Sequence, residues 1–362
     1  MDAGAGLILS APGEAGREAA ARRFAAAFLA PGGAPRYVLG RNVYAASLAR
    51  ALPLAGVIDD AAPGGAWQGL PVVRADGVPR DALVINAAGG RPLTAKARLD
   101  ALGLANLDYF AFLKVAGLPL APVVFNEGFG EDYVAHADQY AWLAGRLADD
   151  ESRRLLAQLA SFRVKLDIEL LRGLAQREHE QYFEDFLALA PAGEVFVDVG
   201  GFDGATSLEF IRRCPGYRAV HLFEPEPANL ARCRAALAGH PNVHCHGLGL
   251  AAAPQDLRLE PQGSASRVAA EGTVDIRVAR LDDVVDDAPT FIKIDTEGWE
   301  ADALAGAAGT IAAHRPRLAV SVYHRAGDFW RIPRQVLAWR DDYRLYLRHY
   351  TESIYETVMF FV

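Results

Sequence analysis

Cysteine is scarce in this sequence: Cys214, Cys233 and Cys245 are an odd number at wide spacing, with no CxxC pair. They form no disulfide framework, and the pattern points to a reducing compartment. Basic charge is short as well. Lys and Arg number 37 against 45 Asp and Glu, a formal net charge of −8, so the chain lacks the basic face that a phosphate backbone demands and nucleic acid is not an expected partner. Long apolar runs are missing. The longest, Val115 to Phe125, is interrupted by Pro119 and Pro122 and is too short to span a bilayer. The N-terminus carries Asp2 and only the short apolar GLILS, so no secretory signal is readable, no membrane partner is expected, and a cytoplasmic location follows by default.

What is present suffices for two cores: 362 residues at 51% hydrophobic content favour two domains over one. The most informative stretch is Glu194 to Phe210, EVFVDVGGFDGATSLEF. Val195, Phe196, Val197 and Val199 read as a strand buried on both faces of a parallel sheet. Gly200 and Gly201 make a turn, and a helix is predicted over Thr206 to Arg213, stopped by Cys214-Pro215-Gly216.

The glycine spacing separates two nucleotide chemistries. A dinucleotide fingerprint needs glycines at offsets zero, two and five, whereas here they stand at 200, 201 and 204 with Phe202 in the second position. Asp198 and Asp203 would repel a pyrophosphate. Beside a cation they would be welcome. The D-x-G-x-x-x-G pattern of Asp198, Gly200 and Gly204 therefore suits S-adenosylmethionine, a sulfonium and ammonium without phosphate, better than NAD. Ala219 to Phe223 is a second apolar run, and Glu224 after it is placed to accept hydrogen bonds from ribose hydroxyls.

Upstream, Glu14 to Leu29 is an alanine-rich helix. Strands at Tyr37 to Leu39, Leu54 to Ile58, Pro71 to Val73, Leu83 to Asn86 and around Leu107 to Phe112 alternate with helices at Asn42 to Ala51 and Pro92 to Leu102, which argues a small parallel α/β domain. Its turn, Gly40-Arg41-Asn42, and the acids Asp59 and Asp60 after the second strand mimic a ribose clamp, in a pattern like that of the small Rossmann-like domain of bacterial sugar acyltransferases. That likeness makes a nucleotide-sugar a possible partner; the alternative is a plain structural or specificity domain. Residues 131–190 read as a helical connector, with Leu155, Leu159, Phe162, Leu166 and Leu170 on one buried face. Gln181-Tyr182-Phe183 either lies over the cofactor or packs on the sheet.

Downstream, Val243 to His246 is a third strand. His240, His244, Cys245 and His246 cluster in sequence, but His244 and His246 alternate along that strand, and a structural role is preferred to a metal. Asp256 to Glu260 and Thr273 to Val278 read as edge strands around Gly263-Ser264-Ala265-Ser266. In PTFIKIDTEGWEADAL, Phe291, Ile292 and Ile294 make a strand, Asp295 and Glu297 follow it, and a helix begins near Trp299. Leu318 to Val322 is a further strand ending in Tyr323-His324, and Tyr343 to Tyr350 with Thr357 to Val362 form an antiparallel pair.

DVGGFDG, FEPEP, LDD, IKIDTEGWE and SVYH, in that order, resemble the FkbM family of S-adenosylmethionine-dependent methyltransferases, and LADDESRRLLAQLASFRVKLDIELL with QYF is similar to a long form of it. The resemblance implies an α/β fold, a class I methyltransferase Rossmann-like seven-stranded sheet with a C-terminal antiparallel hairpin over 191–362, preceded by the smaller Rossmann-like domain of 1–130. It implies S-adenosylmethionine as cofactor, bound by Asp198, Gly200, Gly201, Gly204, Glu224 and Asp295, and a reaction centre at Asp295 and Glu297. The acceptor implied is a hydroxyl of a sugar, glycan or other small molecule. Asp295, Glu297 and His324 are either a divalent-metal site or a general base with orienting groups; the second is preferred, and no metal is assigned. The competing functions are an NAD-dependent oxidoreductase and a non-catalytic nucleotide- or sugar-nucleotide-binding module.

Overall fold

The structure, a computed structural model, describes residues 7–174, 176–260, 267–268 and 272–362, the loop Gly263 to Ser266 lying outside them. The chain divides into two compact units. The first takes residues up to Ala137 with Leu156–Gln176 and Tyr350–Tyr355, and the second takes Asp138–Leu155, Arg177–His349 and Glu356–Val362. Among the described residues no helix is long and apolar enough to cross a membrane.

In the first unit α1 (Glu14–Leu29), β1 (Arg36–Leu39), α2 (Val43–Ala51), β2 (Gly56–Ile58), β3 (Ala66–Trp67), β4 (Leu70–Val73), β5 (Leu83–Asn86), α3 (Pro92–Ala101), β6 (Ala105–Asp108), α4 (Tyr109–Val115) and α5 (Phe129–Ala135) follow one another. The sheet order is β3-β4-β2-β1-β5-β6, parallel apart from the short β3. Side-chain alternation along β1 feeds both faces: Val38 joins Phe28, Leu48 and Phe112, while Tyr37 and Leu39 pack against Ile58, Val84 and Leu99.

Two expectations fail here, each through a side chain that caps. The run Leu107 to Phe112 is not one strand. β6 ends at Asp108, whose carboxylate accepts from Ala111 N at 2.9 Å and starts α4. The helix carrying Leu155, Leu159 and Phe162, α7 (Asp150–Lys165), preceded by α6 (Ala137–Arg146), stops before Leu166 and Leu170. Leu166 has φ +52, and Asp167 accepts from Glu169 N to open a separate turn.

The second unit continues with β7 (Val195–Val199), α8 (Ala205–Arg213), β8 (Ala219–Phe223), α9 (Pro227–Leu237), β9 (Val243–His246), β10 (Gly249–Leu250), β11 (Gln255–Glu260), β12 (Arg267–Val268), β13 (Val274–Ala279), α10 (Leu281–Val284), β14 (Phe291–Ile294), α11 (Glu300–Ala305), α12 (Ala308–His314), β15 (Arg317–Ser321), α13 (Asp328–Trp339), β16 (Leu345–His349) and β17 (Thr357–Phe361). Its main sheet has the order β16-β17-β15-β14-β7-β8-β9, and β17 runs antiparallel to both neighbours. A smaller sheet, β10-β13-β11-β12, stands apart from it. β7 is buried along its whole length, with Phe196 stacked between Phe210 and Phe291 at 4.4 and 5.1 Å. Strand order reverses between β7 and β14, which puts a crevice at the carboxyl ends of these two strands.

Candidate active site

Two charged residues sit inside the central strands of the second unit. Asp198 is fully buried on β7 and Lys293 is 3% exposed on β14. They pair at 3.2 Å, and Asp198 also accepts from Ser207 Oγ at 2.8 Å. Lys293 donates in turn to Gly200 O at 2.6 Å and Val199 O at 3.2 Å. Burial pulls the Lys293 ammonium down, but Asp198 and Asp295 outweigh it and the net direction is upward. Asp198 is thus an internal ion-pair partner that fixes the turn beneath the crevice.

The turn's glycines answer to neighbouring strands. Gly200 has φ +81, and a Cβ there would lie 1.8 Å from the Asp295 carbonyl oxygen. At Gly201 a Cβ would meet the Leu222 side chain at 2.5 Å. Gly204, at φ +88, is the N-cap of α8. Both Gly200 N and Gly201 N donate to Phe223 O, which ties the turn to the end of β8.

Glu224 follows β8 and is 6% exposed. Its Oε2 accepts from Phe202 N and its Oε1 from Glu226 N, both at 2.9 Å. Burial raises this carboxyl from its ordinary value, with the backbone donors acting against the rise. The Asn229 amide adds a third donor to this carboxylate, whose two oxygens can accept about four hydrogen bonds in all.

At the end of β14 the sequence IDTEGWE folds around His324. His324 Nδ1 lies 2.9 Å from Glu300 Oε1, and its Nε2 lies 3.5 Å from Glu297 Oε2 and 3.7 Å from Asp295 Oδ1. Glu300 also accepts from Thr296 N at 2.8 Å and Gly298 N at 3.3 Å, so it holds the loop as well as the imidazole. Asp295 Oδ2 accepts from the Tyr182 phenol at 2.6 Å. Asp295 Oδ1 and Glu297 Oε2 are buried without a hydrogen-bond partner.

The charges are strongly displaced. Burial alone would lower His324, but Glu300, Asp295 and Glu297 carry it up to about 10. Glu300 moves the other way: His324 and the loop donors overcome its burial and hold it at about 2. Burial raises Glu297 to about 8 against the pull of His324, and raises Asp328 and Glu356 to about 7 each. At neutral pH His324 is an imidazolium locked to Glu300, Glu297 is held largely in its protonated form, and Asp295 Oδ1 and Glu297 Oε2 flank the His324 Nε2 at 3.7 and 3.5 Å without a hydrogen bond.

Asp295, Glu297 and His324 therefore come together, as do Asp198 and the glycine turn, while Glu224 stands at the end of a different strand. Reading the sequence missed Lys293, Glu300 and Asp328. Lys293 had a signal: a lysine inside an apolar central strand requires a buried acid, and Asp198 inside the neighbouring strand supplies it. The histidines of β9 pack as rings, His246 on Phe223 at 4.4 Å and its Nε2 3.3 Å from His221 Nδ1. Among the described residues the group with donor atoms close enough for an ion is Asp295, Glu300 and His324, all within 4.8 Å. There Glu300 Oε1 is already engaged by His324 and the loop.

Residues 198–352 match the family model described as the methyltransferase FkbM domain. The chain is similar to methyltransferase FkbM from Methylobacillus flagellatus, with 26% identity, a TM-score of 0.73, and coverage of 96% of this chain and 99% of that one. An rRNA methylase from Streptococcus thermophilus matches with 16% identity and a TM-score of 0.34, over 49% of this chain and 92% of that one. A precorrin-6y C5,15-methyltransferase from Geobacter metallireducens matches with 15% identity and a TM-score of 0.29, over 48% and 81%. No curated protein matches the chain.

Proposed function

We propose, from the premise that residues 198–352 form a methyltransferase FkbM domain, that the protein transfers a methyl group from S-adenosylmethionine to a hydroxyl of a sugar, glycan or natural product. The observation that carries the reading is the pair of buried carboxylate oxygens without hydrogen-bond partners, Asp295 Oδ1 and Glu297 Oε2, beside the Gly200 turn. A cationic ligand answers them; a pyrophosphate does not.

Bound there, the cofactor supplies an electrophilic methyl group on a sulfonium. Asp198 with Lys293 fixes the turn that faces its methionine part, together with Gly200, Gly201 and Gly204, and the acceptor capacity left on Glu224 suits a ribose hydroxyl. His324 is unsuited to be the base, because it is already protonated and paired with Glu300. Asp295 would take the acceptor's proton at Oδ1 as the acceptor oxygen is methylated, and Glu297 would balance the charge of a bound cation.

The finer fold reading is the class I methyltransferase sheet closed by the β16–β17 hairpin, supported by the order of strands about β7 and β14. For the smaller unit, whose strand order also reverses between β1 and β5, a nucleotide-sugar site stands as the alternative to a structural or specificity domain, and the pairing of Asp59 with Arg41 and Asp60 with Arg98 favours the latter. Residues 1–130, 131–190 and 191–362 are the working domain limits, in a cytoplasmic protein.

Thermal unfolding with each cofactor tests the assignment. S-adenosylmethionine and its demethylated product should stabilise the protein, by about 2.7 kcal/mol at a hundred times Kd, and NAD should not. Equal shifts with NAD would overturn it. Asp295→Asn should cut turnover at least ~100-fold, a larger loss than any it causes in cofactor affinity; activity abolished by EDTA and restored by a divalent ion would give the site to a metal instead.

A further inference from the structure

The segment leading into β7 lies along one face of the second unit's sheet. At its lower end Leu187 and Ala188 accept from Arg317 Nη1, at the start of β15, at 2.9 and 3.2 Å. Further up, the Phe186 ring stacks on Tyr346 at 4.3 Å and Phe183 sits 6.2 Å from Phe291. Arg213 covers the Phe183 ring at 5.0 Å and donates to its carbonyl. The upper end reaches the carboxyl ends of the strands. There Gln181 Nε2 donates to Glu356, and Tyr182, 6% exposed, donates its phenol to Asp295 Oδ2 at 2.6 Å.

Tyr182 holds this place in a left-handed backbone conformation, φ +70. For a bulky residue that is strained and persists only where the surroundings over-determine it. An aromatic ring alone does not require it. What the conformation delivers is the phenol: the ring lies 5.3 Å from the Lys293 ammonium and its oxygen ends on Asp295.

We infer that Tyr182 is a positioning residue for methyl transfer: it clamps one oxygen of Asp295, so that the other, Oδ1, faces the acceptor. This rests on the methyltransferase reading above. Burial first, then the charges of Asp295 and Glu356, raise the phenol well above its ordinary value, so it remains a donor at every working pH. The other titratable groups that face Asp295 are His324 and Tyr323 after β15, Glu297 and Glu300 from its own loop, Lys293 on its own strand, and Glu356 before β17.

Tyr182→Phe keeps the ring and removes the donor. We expect kcat to fall by about 10- to 100-fold, the scale of a hydrogen bond to a charged group, with the cofactor Kd within about twofold. The acid limb of the kcat profile should move up by about 1–2 pH units as the carboxylate loses its donor. In an Asp295→Asn background the same change should cost nothing further. Lowered thermal stability with kcat and acid limb unchanged would reduce Tyr182 to packing, and losses that add in the double variant would break its link to Asp295. Should the protein turn over no acceptor at all, a carbon-13 NMR titration of the Asp295 carboxyl in wild type and Tyr182→Phe still reads the clamp. A midpoint that does not rise in the variant overturns it independently of the reaction.

Discussion

The molecule contains the same local device twice. In the first unit β1 ends at Gly40 and opens α2; in the second β7 ends at Gly200 and opens α8. Each lies where the strand order of its sheet reverses, yet the two turns are finished differently. At the first, Asn42 accepts from Tyr44 N and Ala45 N and donates to Ala87 O, so one side chain closes the helix start and the neighbouring strand end together. The acids after β2 are spent, Asp59 on Arg41 at 2.6 Å and Asp60 on Arg98 at 2.6 Å. At the second turn the N-cap is Gly204, without a side chain, Asp203 accepts from Ala205 N at 3.0 Å, and the acid after β8 holds two backbone N–H groups and the Asn229 amide but no cation. The acids after β14 keep buried oxygens with no hydrogen bond. A strand, a turn and a helix make a crevice; whether it is satisfied from within or waits for a ligand depends on a few side chains beside it.

The largest effect that would sharpen this contrast lies in the glycines. Gly200→Ala places a methyl group 1.8 Å from a backbone oxygen in the adjoining strand, where no side chain can give way. It should cost at least ~4 kcal/mol, in the rare severe class of single substitutions. Gly40 also has a positive φ, +104, but its nearest neighbour would be 3.7 Å away. Gly40→Ala should therefore cost only backbone strain, about 1–3 kcal/mol. Denaturant unfolding of both variants decides the matter, and equal losses would show that the approach of β14 to β7 is not what demands glycine.

Next in size is the contrast between the acids after the second strand of each sheet. Glu224→Gln removes the charge while leaving an oxygen for one of its two backbone donors. It should weaken S-adenosylmethionine by about 1.5–3 kcal/mol in calorimetry, with some loss of stability from the donor left facing an amide. Asp59→Asn should leave that affinity alone. If Glu224→Gln binds as tightly as wild type, the ribose sits elsewhere.

Much of this was legible from residue order, and the illegible part has a common cause. The apolar runs around Val197, Val220 and Ile292 give central strands, and the IDTEG acids follow a strand end, so Asp295 and Glu297 land in the crevice from local pattern alone. Their neighbours arrive from far along the chain. Tyr182 is 113 residues from Asp295, and Lys293 is 94 from the Val199 carbonyl that it meets. Periodicity gives the face on which a side chain lies, not the partner that another strand brings to it. Glu300 was hidden for a different reason: an acid in the first turn of a helix is the expected composition there, and only its distance to His324 distinguishes it. The failures at Leu107 to Phe112 and at Leu166 were local. In both places an aspartate able to cap stood inside an apolar pattern that a helix or strand could otherwise have continued.

The smallest predicted effect is a slope, and it sets the two crevices against each other by sign. Asp60 in the first unit is held below its ordinary value: the Ala75 N–H and Arg98 outweigh its slight burial. Its contribution is present above the unfolded value of 3.8 and is lost as pH falls, so across the neutral range it adds nothing to the slope. Glu297 runs the other way. Burial lifts it from 4.5 to about 8, so the folded protein binds that proton more tightly than the unfolded chain. The associated stability is complete below pH 4.5 and is lost as pH rises through about 8. His324, raised from 6.5 to about 10, adds a second decline displaced to higher pH. The ligand-free protein should therefore lose thermal stability steadily between pH 5 and pH 8. Glu297→Gln, neutral throughout, should remove the Glu297 share of that decline and leave the shares of Asp328 and Glu356, each raised to about 7 by burial, whereas Asp60→Asn should leave it intact. Saturating S-adenosylmethionine should flatten it in the wild type, because a cation beside Glu297 makes its ionised form the favoured one. A slope no shallower in Glu297→Gln than in the wild type would mean that this carboxyl is already ionised in the empty crevice, and that the second turn is as fully satisfied from within as the first.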